Sequence, residues 1–382
     1  MINFNKNTND ISSYSSEYNA ITCDLIRELA KLSSQENIIF SPLSIITLLG
    51  LATEATDSKT RREVVDFISG MNISGLNSSE VSNHIIKILS DIHKTISTSD
   101  ALASANAAIV RADYAASIKE RFKKIIRKSF DAECILAEDI IGTVNAWVNE
   151  KTDGMIPSIA DESMRNMVAS LINAVCFKAK WAKPYEDYQI KDNTFTDING
   201  NEKEVPMMFS SERGYIENEA FTGFTKSYRG NEFDFMALLP KKKGLKALID
   251  CIQNINYTEL YKNRYYIKVY TKIPEFKSDS LVDLNSLLIG KGIKNIFASN
   301  ADFGPMTDKP IILDKIIHKA HIEVDRNGTK AAAVTMAYAV AGCAPGFVEE
   351  TKEVNLDRPF IYSIIHKETG LPVFTGIIYR IM

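Results

Sequence analysis

Residues 328–348 constrain this chain more than any other stretch. They read Gly-Thr-Lys-Ala-Ala-Ala-Val-Thr-Met-Ala-Tyr-Ala-Val-Ala-Gly-Cys-Ala-Pro-Gly-Phe-Val, with no charge between Lys330 and Glu349 and no proline before Pro345. Thr329, Ala331, Ala333, Thr335, Ala337 and Ala339 are all small and occupy alternate positions, and the set between them includes Lys330, Val334, Met336, Tyr338 and Val340. Side chains of a strand alternate between its two faces. As a strand, this segment would put its small residues on one face and its long ones on the other, a shape suited to a crowded central place in a sheet. The same window also reads as an Ala-rich buried helix, because Ala is the best helix former. Gly342 and Pro345 cut that pattern short, and the alternation is nearer two than the helical period, so the window alone leaves both readings open.

The rest of the chain supplies context. Its 382 residues are 45% hydrophobic and 24% charged, with a formal net charge of −3, an ordinary globular composition with ample material for a core. Near-neutral charge gives no reason to expect nucleic acid or an anionic membrane as the main partner. No apolar run approaches the roughly 18 residues of a membrane span. The start, Met1-Ile2-Asn3-Phe4-Asn5-Lys6-Asn7, lacks the apolar stretch of a signal peptide. The expected location is therefore cytoplasmic, or extracellular if an export signal has been removed. Cys23, Cys134, Cys176, Cys251 and Cys343 are odd in number and show no C-x-x-C spacing. Free thiols are expected, with no disulfide framework, no metal site and no cofactor.

Apolar spacing predicts helices over 17–32 and 43–52, the second opening on Ser41-Pro42, and further helices over 117–130 and 143–151. Strands are expected over 168–177, 233–240, 265–273, 360–365 and 371–378, where β-branched and aromatic residues concentrate. Helices early and strands late indicate an α+β fold with largely antiparallel sheets. With no repeat and no clear linker, residues 1–382 read as one domain.

Several blocks, in order, carry a resemblance. His318-Lys319-Ala320-His321-Ile322-Glu323-Val324 precedes Gly328-Thr329 and the Ala run, and Leu356-Asp357-Arg358-Pro359-Phe360-Ile361-Tyr362 follows. Earlier come Asn37-Ile38-Ile39-Phe40-Ser41-Pro42-Leu43-Ser44-Ile45, Asn173-Ala174-Val175-Cys176-Phe177-Lys178-Ala179-Lys180-Trp181-Ala182-Lys183-Pro184-Tyr185, Val205-Pro206-Met207-Met208 and Ala301-Asp302-Phe303. Together they closely resemble the serpins, inhibitors of serine proteases, over nearly the whole chain. The resemblance implies the serpin fold: three mainly antiparallel sheets, eight or nine helices and an exposed reactive-centre loop, here about 328–353. It also implies a suicide-substrate mechanism. A protease attacks the loop and forms an acyl-enzyme, and the cut loop then inserts into the main sheet and disables the protease. Serpin loop insertion is itself an established example of strand addition and of stored strain released by cutting.

Carried onto this sequence, the family pattern places the reactive bond at Gly342–Cys343, with Val340, Ala341 and Ala344 as alternative cleavage positions. A small residue there suits an elastase-like target, and the absence of Lys or Arg between Lys330 and Lys352 disfavours a trypsin-like one. Gly328, Thr329, Ala331, Ala332 and Ala333 correspond to the hinge, and Thr329 to Ala339 to the inserting strand. Trp181 corresponds to the aromatic at the top of the main sheet, the breach where insertion begins. Ser41, Ser44, Asn173 and His318 correspond to the polar shutter cluster beneath that sheet. The chain departs from the family at Arg326 and Lys330, where glutamates are usual.

The resemblance implies an inhibitor, not an enzyme. There is no G-x-S-x-G, H-E-x-x-H, P-loop or G-x-G-x-x-G, and Gly290-Lys291-Gly292 lacks a third glycine. A Cys176–His318 nucleophile pair is an enzymatic rival that sequence leaves open, and a non-inhibitory carrier or storage serpin is a second rival. The expected partner is a target serine protease held through a covalent acyl bond by a monomeric inhibitor. Weak polyanion binding is a secondary expectation, from Lys119, Arg121, Lys123, Lys124, Arg127 and Lys128.

Overall fold

A computed structural model describes residues 11–33, 35–70, 78–329 and 350–381. In chain order it opens with α1 (Ser15–Leu32), β1 (Ile38–Phe40), α2 (Pro42–Ala55), α3 (Ser58–Ser69) and α4 (Ser78–Ser97). There follow β2 (Leu102–Arg111), α5 (Glu120–Phe130), β3 (Ala132–Ala137), α6 (Ile140–Lys151), β4 (Ala169–Phe177) and β5 (Ala179–Lys180). Next are β6 (Ile190–Thr196), β7 (Glu202–Glu217), β8 (Phe221–Ser227), β9 (Phe233–Pro240), α7 (Leu245–Gln253) and α8 (Tyr257–Lys262). The chain continues through β10 (Tyr265–Pro274), β11 (Phe276–Asp283), α9 (Asn285–Gly290) and β12 (Leu313–Asp325). It ends with β13 (Gly328–Thr329), β14 (Thr351–Asn355), β15 (Phe360–His366) and β16 (Pro372–Ile378). The chain is α+β, with nine α-helices among the described residues.

These elements divide into two compact units. One comprises Met1–Glu28, Phe40–Cys176 and Asp279–His321. Its helix α2 starts where the sequence says it should: Ser41 caps it by accepting from the Ser44 amide at 3.1 Å, and Pro42 occupies the first turn. Thirteen of the residues of α2 are buried, as an all-round apolar helix requires. Gly50 lies mid-helix, where glycine costs roughly 1 kcal/mol. A side chain there would meet the Phe130 ring of α5 at 2.5 Å, so the close approach explains the glycine. In the sheet of this unit β3 pairs with β2, and β4 with β12. Trp147, Val144 and Val148 of α6 share a core with Ile109, Ile172 and Ile317 of these strands.

The expected antiparallel pairing fails at two places in this sheet, because β2 runs parallel to β3 and β4 parallel to β12. A parallel neighbour needs a long return through other elements, and here it is supplied by residues 178–312 between β4 and the start of β12, and by α5 between β2 and β3. The expected helix over 117–130 begins only at Glu120, because Ile118 is drawn into a bridge with Thr307.

The other unit comprises Leu29–Ile39, Phe177–Ser278 and Ile322–Met382. Its strands run in the order β1-β16-β15-β9-β8-β7-β10-β14, with β6 on β7. Every residue of β9, β15 and β16 is buried, which matches their continuous apolar runs. The long β7 pairs with β6 and β10 over most of its length and with β8 at its end. It thereby links two expected sheets into one hydrogen-bonded network. β10 and β14 pair in parallel, whereas β6 with β7, β7 with β8 and β10, β8 with β9, and β15 with β9 and β16 are antiparallel.

Candidate functional site

Two buried clusters hold the described site residues, and each unit contains one. In the first unit, β4 and β12 run side by side in parallel over eight residue pairs, from Leu313 against Ala169 to His321 against Cys176. This register sets His318 beside Asn173. The Ser41 amide donates to His318 Nε2 at 2.9 Å, which makes that nitrogen the acceptor and leaves Nδ1–H to donate to Asn173 Oδ1 at 2.8 Å. The Asn173 side-chain amide in turn donates to Asn106 Oδ1 at 2.8 Å, and Asn106 donates to the Phe130 carbonyl. Ser41, Ser44, Asn173 and His318 thus form one chain of bonds, which Asn106 extends. Asn106 escaped the sequence reading, although a lone amide in the small-apolar run of β2 is a signal for a buried polar partner.

Burial holds the His318 imidazole neutral, with its pKa down at about 3. His93 of the same unit is likewise lowered to about 4 by burial. A depressed histidine binds its proton in the unfolded chain before it does so in the fold. The stability it contributes is complete above the unfolded pKa of ~6.5 and falls by about 1.4 kcal/mol per pH unit as pH drops toward 3. The unfolding free energy from urea titration should therefore fall between pH 7 and pH 5, by ~2 kcal/mol through His318 alone. His318→Gln should lose that much less over the same interval, because His93 contributes equally to both proteins. An unchanged pH dependence in the variant would refute this account.

Cys176 stands opposite His321, three positions along from His318, and is fully buried. The rival Cys176–His318 nucleophile pair is not formed. Cys23, Cys134, Cys176 and Cys251 form no disulfide, and among the described residues no His, Cys, Asp or Glu cluster could hold a metal. In α5, Lys119 and Lys123 are tied to Asp308 and Glu120, whereas Arg121, Lys124, Arg127 and Lys128 face solvent.

The second cluster surrounds Gly328 and Thr329. A turn at Arg326-Asn327 is closed by Asp325, whose carboxylate accepts from the Asn327 and Gly328 amides at 2.7 and 3.1 Å. The short β13 that follows pairs with β12 on one side and β5 on the other. Gly328 has φ +146°, and a side chain there would strike the Ala179 carbonyl at 2.3 Å and the Lys180 Cα at 2.6 Å. Only glycine fits. Trp181 is 1% exposed, stacks on Tyr228 at 4.4 Å and donates from Nε1 to the Asp325 carbonyl at 2.8 Å. The Tyr228 hydroxyl meets the buried Thr329 hydroxyl at 2.9 Å, so the aromatic stack and β13 are one assembly.

Beneath it lies a feature the sequence did not disclose. Lys226 is 3% exposed, pairs with Glu212 at 2.7 Å and sits 4.4 Å from the Tyr185 ring centre. Ser210 donates to the same carboxylate and also meets Thr271 at 2.9 Å. Burial, with Glu212 adding to it, pushes the Tyr185 phenol well above its ordinary value. Arg326, the first departure from the expected pattern, binds Asp187 at 2.6 Å and approaches Glu275 at 3.7 Å. The reversed charge has found reversed partners. Lys330, Ala331, Ala332, Ala333, Val340, Ala341, Gly342, Cys343 and Ala344 lie outside the described residues.

The model of the family described as Serpin (serine protease inhibitor) matches residues 16–381. The chain belongs to the serpin family. An uncharacterized serpin-like protein of Methanosarcina acetivorans is 28% identical, with 97% of this chain and 89% of that protein covered. Among solved structures, the native thermophilic serpin tengpin matches with a TM-score of 0.82 at 29% identity, over 96% of this chain and 94% of that one. Human thyroxine-binding globulin complexed with thyroxine matches with a TM-score of 0.83 at 21% identity, over 97% of this chain and 99% of that one, a likeness of fold. Serpins are generally protease inhibitors and not catalysts.

Proposed function

We propose that this serpin is an irreversible suicide-substrate inhibitor of serine proteases with a shallow, elastase-like specificity pocket, cut at Gly342–Cys343. The family model runs unbroken over 16–381, which supports reading the whole chain as a single domain. The observation that carries the reading is the direct parallel contact of β4 with β12 above the Ser41–His318–Asn173 chain. Chain that follows the turn after β12 must run back antiparallel to it. A parallel pair is the one seam in which a single returning strand is antiparallel to both neighbours. Inserting it would replace one parallel ladder with two antiparallel ones, the slightly stronger kind. It would also have to part His318 from Asn173, which makes that bond the fastening of the seam.

On this reading Thr329 to Ala339 form the new strand, with their small side chains on the crowded face. The protease serine attacks the Gly342 carbonyl, the Cys343 amine leaves, and the acyl ester travels with the inserting strand before water can hydrolyse it. Mixing the protein with an elastase and separating the products on a denaturing gel tests this. A covalent complex and a released peptide beginning at Cys343 are expected. Complete cleavage without complex, across a panel of serine proteases, would overturn inhibition; no cleavage at all would favour a carrier or storage serpin.

A further inference from the structure

The second unit carries an outward sheet face on which rings and cations alternate. Directly opposed residues share a face. The register of β7, β10 and β14 therefore puts Arg213, Lys268, Tyr270, Lys272 and Phe209 on the same outer surface. Val269, Thr271, Ile273 and Val354 fill the inner one. A bulge at the start of β10 adds Tyr266, 76% exposed, and Tyr270 is 47% exposed. Arg213 lies over the Tyr266 ring at 5.6 Å, Lys268 over Tyr270 at 4.9 Å and Lys272 over Phe209 at 5.4 Å. Among the described residues neither Lys268 nor Lys272 has a carboxylate partner. Among the described residues of these strands, the face bears three cations against the single carboxylate of Glu353, in a chain whose formal charge is −3.

Exposed tyrosine with arginine is the composition of binding hot spots, and a local field opposite in sign to the whole molecule orients an incoming partner. The face also has a fixed relation to the reactive segment, because β14 starts at Thr351. Chain between Cys343 and Thr351 spans at most ~28 Å even when fully extended. A protease domain of about 220 residues has a radius of gyration near 17 Å, so its body is wider than this tether is long. A protease seated on the bond is therefore held close to the start of β14.

We propose that the outer face of β7, β10 and β14 is a docking surface for an acidic patch of the target protease, outside its active-site cleft, that speeds encounter. This rests on the inhibitory reading above. The test measures second-order rates of covalent complex formation with two elastases, one of anionic and one of cationic surface. Wild-type protein should react faster with the anionic enzyme. Lys268→Glu with Lys272→Glu should slow that reaction about 10- to 100-fold at 50 mM salt, and the difference should vanish by about 0.5 M. The same pair should speed reaction with the cationic enzyme. Tyr266→Ala with Tyr270→Ala should slow the anionic reaction several-fold at either salt. The cut bond and the stoichiometry should stay as in wild type, which separates docking from insertion.

Unchanged rates in both pairs, with complexes still forming, would overturn the docking surface and leave inhibition intact. No covalent complex with either elastase or a wider protease panel would overturn both. A rate loss seen only when heparin is present would make the face a polyanion site and overturn the proposal.

Discussion

On the inhibitory reading proposed above, replacing Thr329 with Arg should convert this serpin from an inhibitor into a substrate. Thr329 is fully buried, and its hydroxyl bonds to Tyr228 beneath the Trp181 stack. A guanidinium there has no carboxylate to meet, and an uncompensated buried charge costs several kcal/mol. Insertion competes with hydrolysis of the acyl bond, so the penalty acts on a ratio of rates. Thr329 already lies between β12 and β5 in the uncut chain, so the charge should first expel β13 from the sheet, and a cost of about 3 kcal/mol for bringing it back slows insertion more than 100-fold. Active-site titration of an elastase should then show the stoichiometry of inhibition rising from near one to beyond a hundred. The cut bond should remain where it is. Thr329→Ser, which keeps the hydroxyl and the small volume, should behave as wild type. Full inhibition by the Arg variant would contradict insertion led by Thr329.

The residues explain why some of this was legible in the sequence. Ser41-Pro42 announced α2 because a cap and a first-turn proline are local chemistry, complete within a few residues. The runs of β9, β15 and β16 showed because these strands are buried on both faces. By contrast β7 is sixteen residues long and went unread, since its first part is exposed and charged and carries no alternation. β2 is built from alanines, which are poor strand formers, and only its neighbours make it a strand. Helix α6 starts three residues before the expected 143, because Asp139 caps it by accepting from the Gly142 amide.

The site divides in the same way. His318, Asn173 and Trp181 were legible through family motifs, but their partners were not. The stack of Trp181 on Tyr228 joins residues 47 positions apart, and no pattern within either segment encodes it. Lys226 and Glu212 read as two ordinary surface charges until folding encloses them. Arg326 read as a departure because its compensation, Asp187 and Glu275, lies on other segments. Local chemistry shows in a sequence; pairing across the fold shows only in the folded chain.

Cutting the Gly342–Cys343 bond should make the protein harder to unfold, although a nick in a loop ordinarily does nothing of the kind. If the segment from Thr329 enters between β4 and β12, two antiparallel ladders take the place of a parallel one of eight pairs. The net gain is on the order of ten ladder bonds, each worth about 0.5 to 1.5 kcal/mol, or roughly 5–15 kcal/mol in all. Unfolding entropy of ~2.1 cal/mol/K per residue, over 382 residues, comes to about 0.8 kcal/mol/K. The melting midpoint should then rise by ~6 to 19 °C on cleavage. Scanning calorimetry of intact and elastase-cut protein measures it directly. The same cut in Thr329→Arg should give a much smaller rise, because the nick is identical and only the entry of the strand is blocked. A midpoint that stayed level in cut wild-type protein would mean that the loop is severed but never inserted. The stored free energy that inhibition requires would then be missing.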